Sequence, residues 1–342
     1  MKRVLALIAS VLLIGSFVFA KDSVLIDFTL LDADIMPDKS GKATENGRTL
    51  MDYSYAADET YSADAKALMK TSFELNNWDC DLNSSAQTKA TVAGSKVKPV
   101  KVSTKSETSF AGKNVMGVHA IFPTWSTNVY MRVTPPYEIQ AYEPLRDISN
   151  DGVRKEQTAE QKGKYLFEDG YGLVKNVGTI KSISVYTMGM NQKFQLYVLL
   201  KDNDNVERRY LVGSLYFDGW KTLQWNNPDY FDDIRARELR IYPIYPRGVP
   251  FIKFCGFQIT RDADCKDVEY TGYFQSVKLT YDVALLHSDR DIDDEDEWGV
   301  ITKRETDRQT FEMSKFAAKQ AVKFMEAERI KQEESVDSSL KQ

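Results

Sequence analysis

Histidine occurs at two positions, His119 and His287, and cysteine at three, Cys80, Cys255 and Cys265. That is a thin supply for chemistry near neutral pH. A zinc site needs several His, Cys or carboxylate ligands at grouped spacings, and these five residues form no such group. His119 lies in an apolar, strand-like run, where an imidazole reads as a packed residue before it reads as a ligand. No Gly-x-Ser-x-Gly nucleophile turn is present, and neither is a Walker loop or a dinucleotide glycine pattern. Asp289-x-Asp291-x-Asp293 opens like a calcium loop. Its sixth and twelfth positions, which call for Gly and Glu, are Asp294 and Val300, so the match fails. The sequence therefore assigns no catalytic, cofactor-binding or metal-ligating residue, and the expectation is a protein that is not an enzyme.

Two other chemistries stay in view. A glycosidase needs two carboxylates across a cleft; carboxylates are plentiful, but no pair stands out. Trp78, Trp125, Trp220, Trp225 and Trp298 could offer stacking faces to a sugar, although each reads first as a core residue. Asn83-Ser84-Ser85 matches a glycosylation sequon, so a glycan is a possible partner or modification.

The elements that would position any site begin after a leader. Met1-Lys2-Arg3, an apolar run from Val4 to Phe19 and Ala20 have the three-part form of a secretory signal peptide, cleaved before Lys21. The alternative is a membrane anchor, but the run is short of the about 20 apolar residues a spanning helix needs. The expected product is exported and free of the membrane after cleavage. An oxidising compartment would permit Cys255 and Cys265 to close a small loop and leave Cys80 over. The alternative is three inert thiols. A formal charge of -5 gives no whole-protein reason to expect nucleic acid.

Period-two alternation dominates the chain from Lys21 to about residue 288. Val24, Ile26, Phe28 and Leu30 form a first strand, and Val277, Leu279, Tyr281 and Val283 a last one; these two are expected to lie side by side. Between them, Val115–Phe122, Val129–Val133, Leu239–Ile244 and Phe251–Thr260 read as strands. Ala63–Lys70 reads as a short helix and Ile148–Gly163 as a polar, partly helical insertion. Lys89, Lys96, Lys98, Lys101, Lys105 and Lys113 mark either an edge strand guarded by lysines or a basic edge for an acidic partner. The stretch from Ile180 to Trp225 carries the clearest hairpin: Phe194, Leu196, Val198 and Leu200 alternate with polar neighbours, and Asp202-Asn203-Asp204-Asn205 supplies the turn. It reads as the central sheet of a sandwich, with a corner at Gly219-Trp220. The predicted fold is mainly β, an antiparallel β-sandwich of jelly-roll type, like galactose-binding and carbohydrate modules, with a C-terminal helix.

The C-terminal end changes character. The expected organisation is a signal peptide over 1–20, a sandwich over 21–288, an acidic linker over 289–301, an amphipathic helix over 302–334 and a disordered tail over 335–342. In the helix, Phe311, Ala318, Val322 and Met325 make a narrow apolar stripe. It would dock either on a partner subunit or on its own domain.

Several short motifs, in order, carry a family resemblance. They are Val24-Leu25-Ile26-Asp27-Phe28, Met69-Lys70-Thr71-Ser72-Phe73 with Asn77-Trp78, and Leu82-Asn83-Ser84-Ser85. Gly117-Val118-His119 with Phe122-Pro123 follows, then Pro135-Pro136-Tyr137-Glu138-Ile139 with Ala141-Tyr142. Ile183-Ser184-Val185-Tyr186 with Gly189, and Gly213 to Leu223, complete the set. In this order the chain resembles the flagellar filament outer-layer (sheath) proteins of spirochaetes over most of residues 1 to 285. It departs at Tyr137 and Gln140, where the family's segment reads PPFEIPAY. The resemblance implies a non-catalytic, structural subunit in the periplasm that coats flagellin core subunits, contacts other sheath subunits, and supports filament stiffness, shape and cell motility. The alternative is an exported carbohydrate-binding β-sandwich module, and behind it a glycoside-type enzyme.

Overall fold

The computed structural model describes residues 20–37, 41–46, 48–54, 61–124, 128–141, 167–230, 250–284 and 297–340. In chain order its first strands are β1 (Lys21–Asp27), β2 (Ile35–Pro37), β3 (Ala43–Glu45), β4 (Leu50–Asp52), β5 (Lys70–Ser72), β6 (Asp79–Leu82), β7 (Lys96–Lys101) and β8 (Asn114–Ile121). They are followed by β9 (Tyr130–Thr134), β10 (Leu173–Lys175), β11 (Val177–Met190), β12 (Phe194–Lys201), β13 (Glu207–Ser214), β14 (Asp218–Asn226), β15 (Phe251–Arg261) and β16 (Glu269–Val283). The helices are α1 (Ala63–Ala67), α2 (Lys89–Gly94) and α3 (Val300–Leu340). The predicted segments 148–163 and 239–244, and with them Trp125 and His287, lie outside the described residues.

Among the described residues, two six-stranded antiparallel sheets form a sandwich. One runs β14-β11-β16-β8-β7, with β1 also on β16; the other runs β13-β12-β15-β9-β6, with β10 also on β15. The two central strands follow the same plan. One edge of β16 is shared end to end by β8, on 269–274, and β1, on 276–281. One edge of β15 is likewise shared by β10, on 251–253, and β9, on 257–260. The first strand thus lies on the last, as expected of a sandwich, but its predicted alternation fails: the register skips between Val24 and Ile26, Leu25 and Ile26 are both buried, and Val24 and Leu30 are exposed. The pairing of β1 ends at Asp27, whose carboxylate caps a one-turn helix over Phe28–Leu30.

Residues with a side chain turned inward fill the space between the sheets. Ile183 and Val185 from β11, Leu196 and Val198 from β12, and Val277 and Leu279 from β16 are all fully buried. Phe257 and Phe274 stack across the middle at 4.6 Å, and Phe28 meets Phe257 at 5.8 Å and Trp78 at 5.7 Å. Such aromatic pairs add roughly 0.5–1.5 kcal/mol each beyond the area they bury. Gly256 makes the close approach of β9 possible: at φ +135° a Cβ there would sit 2.1 Å from the Val133 carbonyl oxygen. The register skips at this point, from Leu199 opposite Gly256 to Leu200 opposite Phe254. Cys255 is the extra residue of the resulting bulge.

The Ile180–Trp225 stretch is not one sheet. β11 and β14 pair with each other in the first sheet, while the β12–β13 hairpin between them crosses to the second. Alternation shows that one face of each strand is buried, and a hairpin pointing into either sheet satisfies it. The turn over 202–205 is as predicted: Asn205 N–H donates to the Asp202 carbonyl at 3.0 Å and Asn205 has φ 59°. Gly219-Trp220, by contrast, lies inside β14 rather than at a corner.

Candidate interaction surface

The residues with chemical potential are dispersed and quenched. His119 Nδ1 lies 3.0 Å from Thr271 Oγ1 on the neighbouring strand. Among the described residues, no group of three His, Cys, Asp or Glu side chains could hold a metal ion. All three cysteines are free. Of the two alternatives left by the sequence, the loop between Cys255 and Cys265 does not close, because β15 carries the chain away from Cys255 for six residues, about 20 Å at strand rise. A disulfide needs Cα atoms less than about 7 Å apart. Burial, with the charges of Asp81 and Asp79 behind it, pushes the Cys80 thiol up to about 12. Burial does the same to Cys255, also to about 12. Such thiols are protonated at neutral pH and poor nucleophiles.

Burial and the neighbouring Asp81 raise Asp79, yet both residues sit exposed on the edge strand β6. Of the tryptophans, Trp78 is core, with its Nε1–H donated to the Phe73 carbonyl at 3.1 Å. Trp220 stacks on Tyr186 at 5.4 Å beneath Phe110, and Trp225 packs on Tyr210 at 4.7 Å. Trp298 is 87% exposed, just ahead of α3. The sequon residue Asn83 ties β6 to β9: its Nδ2 donates to the Asn128 carbonyl at 2.8 Å and its Oδ1 accepts from Tyr130 N–H at 3.1 Å.

What the fold does offer is surface for other chains. Among the described residues, each sheet ends in strands paired along one edge, β14 and β7 in one, β13 and β6 in the other. Lys96, Lys98 and Lys101 project to solvent from β7 while Val97 is buried. This is the lysine-guarded edge that the sequence suggested, and it is also a basic strip.

The most elaborate surface is built where α3 lies on the sandwich. Met313, Phe316, Ala317 and Gln320 are buried there. Phe316 meets Tyr137 edge-on at 5.4 Å, Phe324 reaches Tyr61 at 6.5 Å, and Lys323 donates to the Pro136 carbonyl at 3.0 Å. Beneath this contact Lys253 is 1% exposed, its Nζ 3.4 Å from Glu138 and 3.9 Å from Glu312 of α3. Glu138 also holds Lys201 at 3.2 Å. Burial drives Lys253 below its ordinary value, against the pull of Glu138 and Glu312. Burial pushes Glu138 up, but Lys253 and Lys201 outweigh it and hold the carboxyl below the usual range. An ion cluster of this kind locates the helix; breaking one partner leaves the others buried and uncompensated. A cleft of ≈ 240 Å³ opens beside it, lined by Tyr137, Glu138, Gln140, Lys315, Phe316 and Lys319 among others.

The stripe read from the sequence is not the docked face. Phe311, Val322 and Met325 are 63%, 49% and 48% exposed, and Ala318 is exposed as well. The face that docks was missed because Gln320 interrupts its hydrophobic pattern. A helix with two apolar sides gives a hydrophobicity scan no basis for ranking them.

Against known proteins, residues 42–290 match the family model described as flagellar filament outer layer protein FlaA. A flagellar filament outer layer protein of Treponema pallidum is 46% identical over 332 residues, covering 96% of this chain and 95% of the relative. Its counterpart in Spirochaeta aurantia is 36% identical over 342 residues, covering 99% and 96%. That of Borreliella burgdorferi is 28% identical over 268 residues, covering 77% and 72%. Among solved structures, similarity extends to TmCBM61 in complex with β-1,4-galactotriose, at 12% identity over 61% of this chain and 91% of that one, with a TM-score of 0.26. A family 11 carbohydrate-binding module of a Clostridium thermocellum cellulosomal cellulase gives the same TM-score, at 12% identity over 62% and 91%. With a family model spanning most of the sandwich and relatives aligned nearly end to end, the chain belongs to the flagellar filament outer layer protein family.

Proposed function

We propose that the protein is a non-catalytic, structural subunit of the outer layer of a periplasmic flagellar filament. The observation that carries this reading is the 46% identity along almost the whole of both chains with a flagellar filament outer layer protein. A sandwich with edge strands and a helix presenting apolar side chains to solvent suits a part that functions by contact. In this reading the chain matures at Lys21, residues 21–288 form the coat domain, the acidic segment ahead of Val300 links it to the helix, and the coat surrounds flagellin. Repeated contacts between copies propagate along a helical core. A layer added at larger radius changes the filament's stiffness and curvature, and through them cell shape and motility.

The direct test is removal of the gene, followed by purification of the filaments. Thinner filaments of altered curvature, lacking this chain, are expected; filaments unchanged in composition and shape would sink the reading. A finer part of the proposal pairs the basic strip Lys96–Lys105 with the acidic run Asp289–Glu297 of a neighbouring copy. Deleting the acidic run should weaken coat assembly at low salt and leave it unaffected at high salt. Equal assembly by both proteins at every ionic strength would remove that contact.

A further inference from the structure

We infer that the solvent-facing side of α3 is an antiparallel docking seam for the same helix of a second copy. This deepens the coat-subunit reading and rests on it for the role of the contact. The geometry begins with the angular separation of the two faces. At about 100° per residue, the docked residues Met313, Phe316, Ala317, Gln320 and Phe324 centre on the side opposite Phe311, Ala318, Val322 and Met325. The helix is therefore held to its own domain by one face, which leaves the opposite stripe free to meet another chain.

That stripe is narrow. Its residues fall within an arc of about 60° and run for about 21 Å along the helix. Steps of seven, four and three are the spacing of a coiled-coil seam, where a second helix covers apolar positions that a broad sheet surface would fit poorly. The stripe suits a helix as its occupant.

The charges along one flank select which helix. Arg308, Lys315 and Lys319 lie on that flank in the first half of the seam, and Glu326 and Glu333 lie on it in the second half. The flank thus changes from basic to acidic along the helix. Two copies related by a two-fold axis crossing the seam place like flanks together with their directions reversed. Arg308 then faces Glu333 of the second copy, and Lys315 faces its Glu326. Both pairs share one centre between residues 320 and 321, and Ala318 and Val322 lie to either side of it. A parallel arrangement would instead set this flank against the other one, where Ser314, Ala321 and Gln332 carry no charge to pair with it. The same chain reversed is its own complement.

Four helical turns make a small interface, at or below the about 1,200 Å² lower bound of specific ones. Such a contact is weak between two isolated molecules and is reinforced when both are already held on one filament.

The test uses the mature full-length chain in sedimentation equilibrium and in co-sedimentation with stripped filaments. The expected result is a concentration-dependent dimer that Val322→Asp abolishes by at least tenfold in Kd with the circular dichroism spectrum unchanged. Arg308→Glu alone and Glu333→Arg alone should each weaken the dimer, and the double variant R308E/E333R should restore it. Rescue by the double variant is what a merely destabilised helix would not give. A wild-type chain that stays monomeric both in solution and on filaments, or a dimer indifferent to Val322→Asp, would overturn the seam. If wild-type protein coats stripped filaments while Val322→Asp coats them equally well, the seam fails and the coat reading stands. If wild-type protein does not bind filaments at all, the coat reading itself fails.

Discussion

The sandwich and the terminal helix are stabilised in opposite ways. The sandwich is made of partners distant in sequence, such as Ser23 and Tyr281, whose hydroxyls meet at 3.1 Å across 258 residues. Its core is continuous, with Phe28, Phe254 and Phe257 in mutual ring contact and Phe274 stacked on Phe257. The helix α3 is local in its hydrogen bonding and attached by a strip of four buried side chains and one ion cluster. The sandwich should therefore fail all at once, and the helix should detach alone. The more detachable element is also the one that shows apolar side chains to solvent.

The contrast can be broken most forcefully at its rigid end. Phe257→Ala removes the ring at the centre of the core and is expected to cost about 3–5 kcal/mol. Chemical denaturation followed by circular dichroism should show one transition at a lower midpoint. A loss confined to part of the β signal would mean that the sandwich is not one cooperative unit.

Glu138→Gln comes next, because it leaves Lys253 buried with Glu312 at 3.9 Å as its remaining carboxylate partner. The expected cost is about 1–3 kcal/mol. The variant also has a pH signature. Glu138 in the folded protein lies below its ordinary value of 4.5, so the folded state binds fewer protons there than the unfolded one. Its stabilisation is complete above the ordinary value and is lost as pH falls through the lower folded value. Wild-type stability should decline across that acidic window more steeply than the variant's; parallel pH profiles would disprove the assignment.

At the detachable end, Phe316→Ala should release α3 while lowering the sandwich's unfolding free energy by less than about 1 kcal/mol, since local opening caps the loss. An isolated helix is marginal in water, so proteolysis within 300–340 should accelerate. An equal fall in sandwich stability would mean that the helix is part of the core. Smallest of all, Met325→Ser on the outward stripe should change monomer stability by no more than about 0.5 kcal/mol, measured in dilute solution.

Legibility in the sequence divides along the same line. The hairpin at 194–214 was readable because alternation and turn residues are local signals, and the meeting of first and last strands because a sandwich often sets its end strands side by side. Which sheet each strand joined was not readable. β11 and β14 pair around a hairpin that belongs to the opposite sheet, and that choice is made by contacts distant in sequence. Lys253 gave no sign of its burial, since its carboxylate partners come from residue 138 and residue 312. The outward stripe of α3 was found by spacing, but its side was not. Met313 and Phe316 win the sandwich because Tyr137 and Pro136 are there to receive the helix.

The sharing of the β16 edge has a consequence in time. β1 can be paired only after residues 276–281 exist and are in place, so the first strand must wait for nearly the whole chain. Closure of so long a loop is slow compared with local pairing. A nascent or travelling chain would therefore remain open along this edge until its last strand arrives, and folding would be a terminal event rather than a progressive one.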